Sequence, residues 1–157
     1  MENSEECCLP FDPKPWREKT VKWKDKKFVT DSIRSFFHIP INFGKVVVKN
    51  VKLLEEAGAK NPENIMIVDE KSLWGSDIYI AVDKDVPGAK MATLSGTFMT
   101  KVYEGSFKKM KSWINDMTAY VKSKGKGLKK MYFSYTTCPA CAKKYGKNYV
   151  VIFAKIA

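Results

Sequence analysis

The apolar positions change period within residues 92–121. Up to Val102 the chain gathers Thr, Phe, Met, Val and Leu with no proline, which predicts a strand. Beyond it, Phe107, Met110, Ile114, Met117 and Val121 recur every three or four residues and form one apolar helix face. Lys108, Lys109, Lys111, Asn115, Asp116 and Lys122 fall on the other side. Glu104-Gly105-Ser106 is the turn between them, with Ser106 the expected N-cap because its hydroxyl accepts an N–H of the first helical turn. Gly125 and Gly127 end the helix.

The rest of the chain repeats this pattern. Residues 27–38 alternate as a strand, with Val29, Ile33 and Phe37 on one face. The other face carries Phe28, Thr30, Arg34, Phe36 and His38, a mixture less easily read as core. Pro40 stops the strand and Asn42 caps a helix whose stripe is Phe43, Val47, Val51 and Leu54, with Val46 and Val48 beside it and Gly58 at its end. Residues 64–68 and 77–82 read as strands around a polar connection holding Trp74, and residues 83–90, with Pro87-Gly88, as a linker. In the second half residues 130–136 and 148–156 read as strands joined by a loop over 137–147. Each half is therefore β-α-β-β, a tandem repeat over residues 27–83 and 91–157. The expected fold is α+β: one antiparallel sheet with two helices on one face. The opposite face needs a partner chain as in a homodimer, an N-terminal arm or a ligand to cover its aromatics. Pro10, Pro13 and Pro15 keep residues 1–26 out of regular helix, and Phe11, Trp16 and Trp23 make them an arm packed on the domain or, alternatively, the end of a pocket.

Composition narrows the function classes. A chain of 157 residues, 45% hydrophobic, can bury a core as one domain and is not disordered. No apolar run approaches the roughly 20 residues of a membrane helix. The opening MENSEECC is acidic and has no apolar signal segment, so a cytosolic protein is expected. The net charge of +11 is mostly lysine spread over helix backs and loops, with Arg17 and Arg34 the arginines. That pattern reads first as a solubilising surface and less readily as a nucleic-acid reader.

The stretches Leu94-Ser-Gly-Thr-Phe and Val102-Tyr-Glu-Gly-Ser-Phe-Lys-Lys-Met, the linker Val86-Pro87-Gly88 and a closing strand at 149–156 resemble the gyrase-inhibitor-like small-molecule-binding domains. That family includes effector-binding domains of multidrug-sensing regulators and is related to the SOUL haem-binding fold. The resemblance implies a two-fold repeat with a groove between the halves for apolar, often cationic or aromatic molecules. It also implies, in some members, hydrolysis of strained cyclopropane-bearing compounds by pocket glutamates and aromatics. Many members carry a glutamate at the start of the last strand; here the residues are Lys147-Asn148-Tyr149-Val150.

On this basis Glu104 is the expected pocket carboxylate, acting as acid or base with Tyr103 or Tyr135 assisting; the alternative is an exposed turn residue. Phe36, His38, Trp74, Tyr79, Met99, Tyr103, Trp113, Phe133 and Tyr135 are the expected ligand-lining residues, or else ordinary core. Cys138-Pro139-Ala140-Cys141 has zinc-ligand spacing and would need Cys7 and Cys8 to complete four ligands; the alternatives are a redox pair or plain thiols. Three function classes follow: a small-molecule-binding protein, a hydrolase of a reactive apolar compound, and a lysine-rich protein that contacts an acidic partner such as DNA gyrase or nucleic acid.

Overall fold

The computed structural model describes residues 13–36, 39–40, 43–61, 65–72, 75–105, 107–135 and 149–157. The protein is α+β, with two helices and antiparallel strands among the described residues. A 3-10 turn (Lys14–Trp16) precedes β1 (Lys19–Phe36), β2 (Ile39–Pro40), α1 (Phe43–Glu56), β3 (Met66–Ser72), β4 (Gly75–Ala81) and β5 (Lys90–Glu104). A second 3-10 turn (Phe107–Lys109) leads into α2 (Met110–Ser123), followed by β6 (Lys130–Tyr135) and β7 (Tyr149–Lys155). The chain forms two compact units: Trp23–Ser95, here the N-unit, and Gly96–Ala157 with Met1–Lys22, here the C-unit.

Each unit is β-α-β-β with the same strand order. In the N-unit β1 pairs antiparallel with β4, and β4 with β3. In the C-unit β5 pairs antiparallel with β7, and β7 with β6. The third strand thus sits between the first and second, and the helix joins those two. The helices also stop alike. Gly58 (φ +68°) and Gly125 (φ +72°) take the left-handed conformation that glycine adopts without a Cβ clash. The following amide reaches back five residues, Ala59 N to Leu54 O at 2.9 Å and Lys126 N to Val121 O at 3.2 Å, which satisfies a terminal carbonyl.

Strand alternation sends every second side chain towards the helix. In the N-unit Val29 and Ile33 of β1 and Ile78 and Ile80 of β4 pack with Val46 and Leu54 of α1. In the C-unit Met99 and Tyr103 of β5, Phe133 of β6 and Val150, Ile152 and Ala154 of β7 pack with Trp113, Met117 and Val121 of α2. The remaining strand residues form the face turned away from the helix, called the far face below.

Several boundaries differ from expectation for physical reasons. β1 starts at Lys19, so the tail ends earlier than residue 26; lysines alternating with Thr, Val and Trp suit a strand with one exposed side. β3 runs on through Asp69 and Glu70, which polarity had suggested were connection. On α1 the buried positions are Val46, Asn50 and Leu54, whereas Val51 is 38% and Val48 67% exposed. Asn50 takes the core position because its Nδ2 donates to Asp31 Oδ2 at 2.9 Å and to Val46 O at 2.8 Å. Ser106, the expected N-cap of α2, and the loop over 137–147 lie outside the described residues.

Candidate functional site

The expected site residues do not gather in one place. Met99, Tyr103, Trp113 and Phe133 lie in the C-unit core with Met117 and Val121, beneath α2. They had been expected to line a ligand groove; strand parity and the helix above them make them core instead. Tyr103 stacks on Trp113 at 5.7 Å between ring centroids and donates its hydroxyl to Asp116 Oδ2 at 2.6 Å. Lys101 Nζ donates to the same oxygen at 2.7 Å. Burial, and then the hydrogen bond to Asp116, holds the Tyr103 phenol far above its ordinary range. The hydrogen bond from Lys101, joined by that from Tyr103, holds the Asp116 carboxyl below its own. A phenol so placed ties β5 to α2 and is poorly suited to trade protons with a substrate.

Glu104 follows Tyr103 in β5 and therefore turns to the far face, where it is exposed and in register with Tyr149. The expected acid–base pair of Glu104 and Tyr103 is not assembled: the two side chains leave opposite faces of one strand, and Glu104 is not enclosed by aromatics.

Tyr79 is differently placed. It lies on the far face of the N-unit, edge-on to Phe28 at 6.0 Å, and Phe28 meets Trp23 at 5.5 Å. Beside this aromatic run is a polar row crossing three strands. Ser32 of β1 is in register with Asp77 of β4, and Asp77 with Asp69 of β3. Ser32 Oγ donates to Asp77 Oδ1 at 3.4 Å. Asp69 is 4% exposed, Asp77 is half-buried, and Arg34 follows Ser32 by two positions on the same face. The β3–β4 register thus brings two carboxyl groups side by side on one face of the sheet. Sequence reasoning missed this row because it ended the strand before Asp69 and treated Asp77 as a strand start. The available signal was alternation: Ile67 and Asp69 share one face of β3, and Asp77 and Tyr79 one face of β4.

Phe36 and Tyr135 are the last residues of β1 and β6. His38, Trp74 and the candidate zinc ligands Cys7, Cys8, Cys138 and Cys141 lie outside the described residues. Among the described residues no group of three or more His, Cys, Asp or Glu is placed to hold a metal ion. No helix of the described residues is long and apolar enough to cross a membrane.

A family model described as bacterial hydrolase matches residues 1–156, and the chain belongs to that family. Its fold is similar to that of the EcmrR C-terminal domain, with a TM-score of 0.64 at 10% identity over 90% of this chain and 98% of that one. No curated protein matches the chain.

Proposed function

We propose that the protein binds a small apolar molecule on the far face of the N-unit and hydrolyses it there. The observation that carries this reading is the pair of carboxylates, Asp69 and Asp77, in register beside Tyr79 and Phe28. The half-buried ring of Tyr79, backed by the fully buried Phe28, would take the apolar part of the substrate, and the hydroxyl of Tyr79 would orient it. Asp77, the more accessible carboxylate, accepts a proton from water as the oxygen adds to the electrophilic carbon. Ser32 holds that carboxylate through its hydroxyl, and as the bond to the departing atom breaks Asp77 returns the proton to it, with Asp69 beside it across the β3–β4 ladder. Membership of the bacterial hydrolase family supports the reaction class.

The test is a panel of small apolar electrophiles (aryl esters, epoxides and activated cyclopropanes), followed by turnover and by thermal shift. Asp77→Asn should lower turnover about 10²–10⁴-fold and keep binding, while Glu104→Gln should leave turnover unchanged. Full turnover in Asp77→Asn would remove the proposed site. Binding without turnover across the panel would favour the second reading, a small-molecule-binding protein. That reading draws on the resemblance to gyrase-inhibitor-like domains.

A further inference from the structure

From the last turn of α2 to the first residue of β6 the C-unit carries a feature that hydrolysis does not use. Residues 122–130, Lys-Ser-Lys-Gly-Lys-Gly-Leu-Lys-Lys, hold five lysines and are exposed throughout. Leu128 among them is 38% exposed. Among the described residues no carboxylate is in ion-pair contact with Lys122, Lys124, Lys126 or Lys129. The crowding continues into the sheet, where Lys130 of β6 stands in register with Lys155 of β7. Lys130 Nζ lies over the Tyr132 ring, 5.4 Å from its centroid, so the case rests on the four lysines of the loop itself.

We propose that this loop docks the protein on an anionic phospholipid surface, with the lysines over the headgroups and Leu128 entering the acyl boundary. The residue types favour lipid over nucleic acid. The loop has no arginine to fork onto phosphate or base edges and no aromatic ring to stack on a base. An exposed leucine among lysines gains nothing from a phosphate backbone, but it can enter a membrane interface. Lysines near an anionic leaflet each contribute about a fivefold gain in partitioning, and the effect fades with added salt. The surface is independent of the carboxylate row of the N-unit.

The test is co-sedimentation of the full chain with phosphatidylcholine vesicles, with and without one third phosphatidylglycerol. Binding should require the anionic lipid and weaken with salt. The combined change of Lys122, Lys124, Lys126 and Lys129 to Gln should lower partitioning by about two to three orders of magnitude. Leu128→Ala should lower it a few-fold without altering the salt dependence. Unchanged thermal midpoints would show that both variants stay folded, as their exposure predicts. Failure to bind anionic vesicles, equal binding to neutral ones, or undiminished binding by the four-lysine variant would overturn the proposal. So would tighter retention of duplex DNA than of vesicles at equal salt, with Leu128→Ala silent.

Discussion

Asp31 and Asp116 play matching parts in the two units. Each carboxylate ties a helix to the first strand of its unit, Asp31 on β1 to Asn50 of α1, and Asp116 on α2 to Lys101 and Tyr103 of β5. Burial pushes the Asp31 carboxyl up, but the hydrogen bonds from Asn50 and the Ser32 amide and the charge of Lys49 together leave it below its usual 3.8. Asp116 also lies below 3.8. Groups lowered on folding contribute stability above their unfolded value and lose it as pH falls through the folded one, so both ties should weaken below pH 3.8. Tyr103 is raised on folding, so its contribution is complete below its unfolded value of 10.0 and is lost as pH rises beyond it. Thermal midpoints followed into alkali should therefore fall less steeply in Tyr103→Phe than in the native chain. At neutral pH that variant should lose about 1 kcal/mol in urea unfolding, since Asp116 keeps Lys101. Asn50→Ala should cost about 1–3 kcal/mol, because a partner of Asp31 disappears from a buried site. Gly96 faces a different constraint: it has φ +145°, and a Cβ there would lie 2.6 Å from the Ala157 carbonyl oxygen. Gly96→Ala should lower the melting temperature more than Gly127→Ala, whose Cβ would meet nothing within 4 Å.

Among the elements, α2 was legible because its buried side chains, Trp113, Met117 and Val121, keep helical spacing with lysines opposite. Trp113 joins Met117 and Val121 in the core, and Met110 and Ile114 of the expected stripe pack against them half-buried. The α1 stripe was misread because a hydrophobic pattern cannot foresee an asparagine buried by a strand carboxylate. The same blindness to polar residues inside elements cut β3 short and hid the row of Ser32, Asp77 and Asp69. The two outer valines of α1 give a clean test. Val48→Lys at a 67% exposed position should change stability by no more than about 0.5 kcal/mol, and chemical denaturation would show it. Met117→Ala on α2, where the side chain is fully buried, should cost about 2–5 kcal/mol in the same measurement.

For the molecule as a whole, the repeat of element order was legible because period and turn residues specify β-α-β-β twice. The candidate site was not, since it depends on which strands become neighbours: Asp69 and Asp77 meet only through the β3–β4 register. The two far faces have also diverged. The N-unit sets Asp69 and Asp77 beside Tyr79 and the fully buried Phe28, whereas the matching face of the C-unit sets the buried Thr100 beside Phe98 and Phe153 and carries its carboxylate, Glu104, at the strand end. Asp77→Asn keeps the side chain's shape and an oxygen to accept the Ser32 hydroxyl, so its melting temperature should move by no more than a few degrees while turnover falls, and calorimetry alongside an activity assay would show both.

Trp16 gives the C-unit a built-in sensor. Its ring rests on Phe153 at 5.3 Å, and its carbonyl accepts the Thr100 hydroxyl at 2.8 Å. A guest molecule seeking that patch would first have to evict an indole into water, where its emission reddens and dims. Comparing native and Trp16→Phe spectra would isolate that signal, so fluorescence alone could report when the segment lifts, without a label or a known ligand.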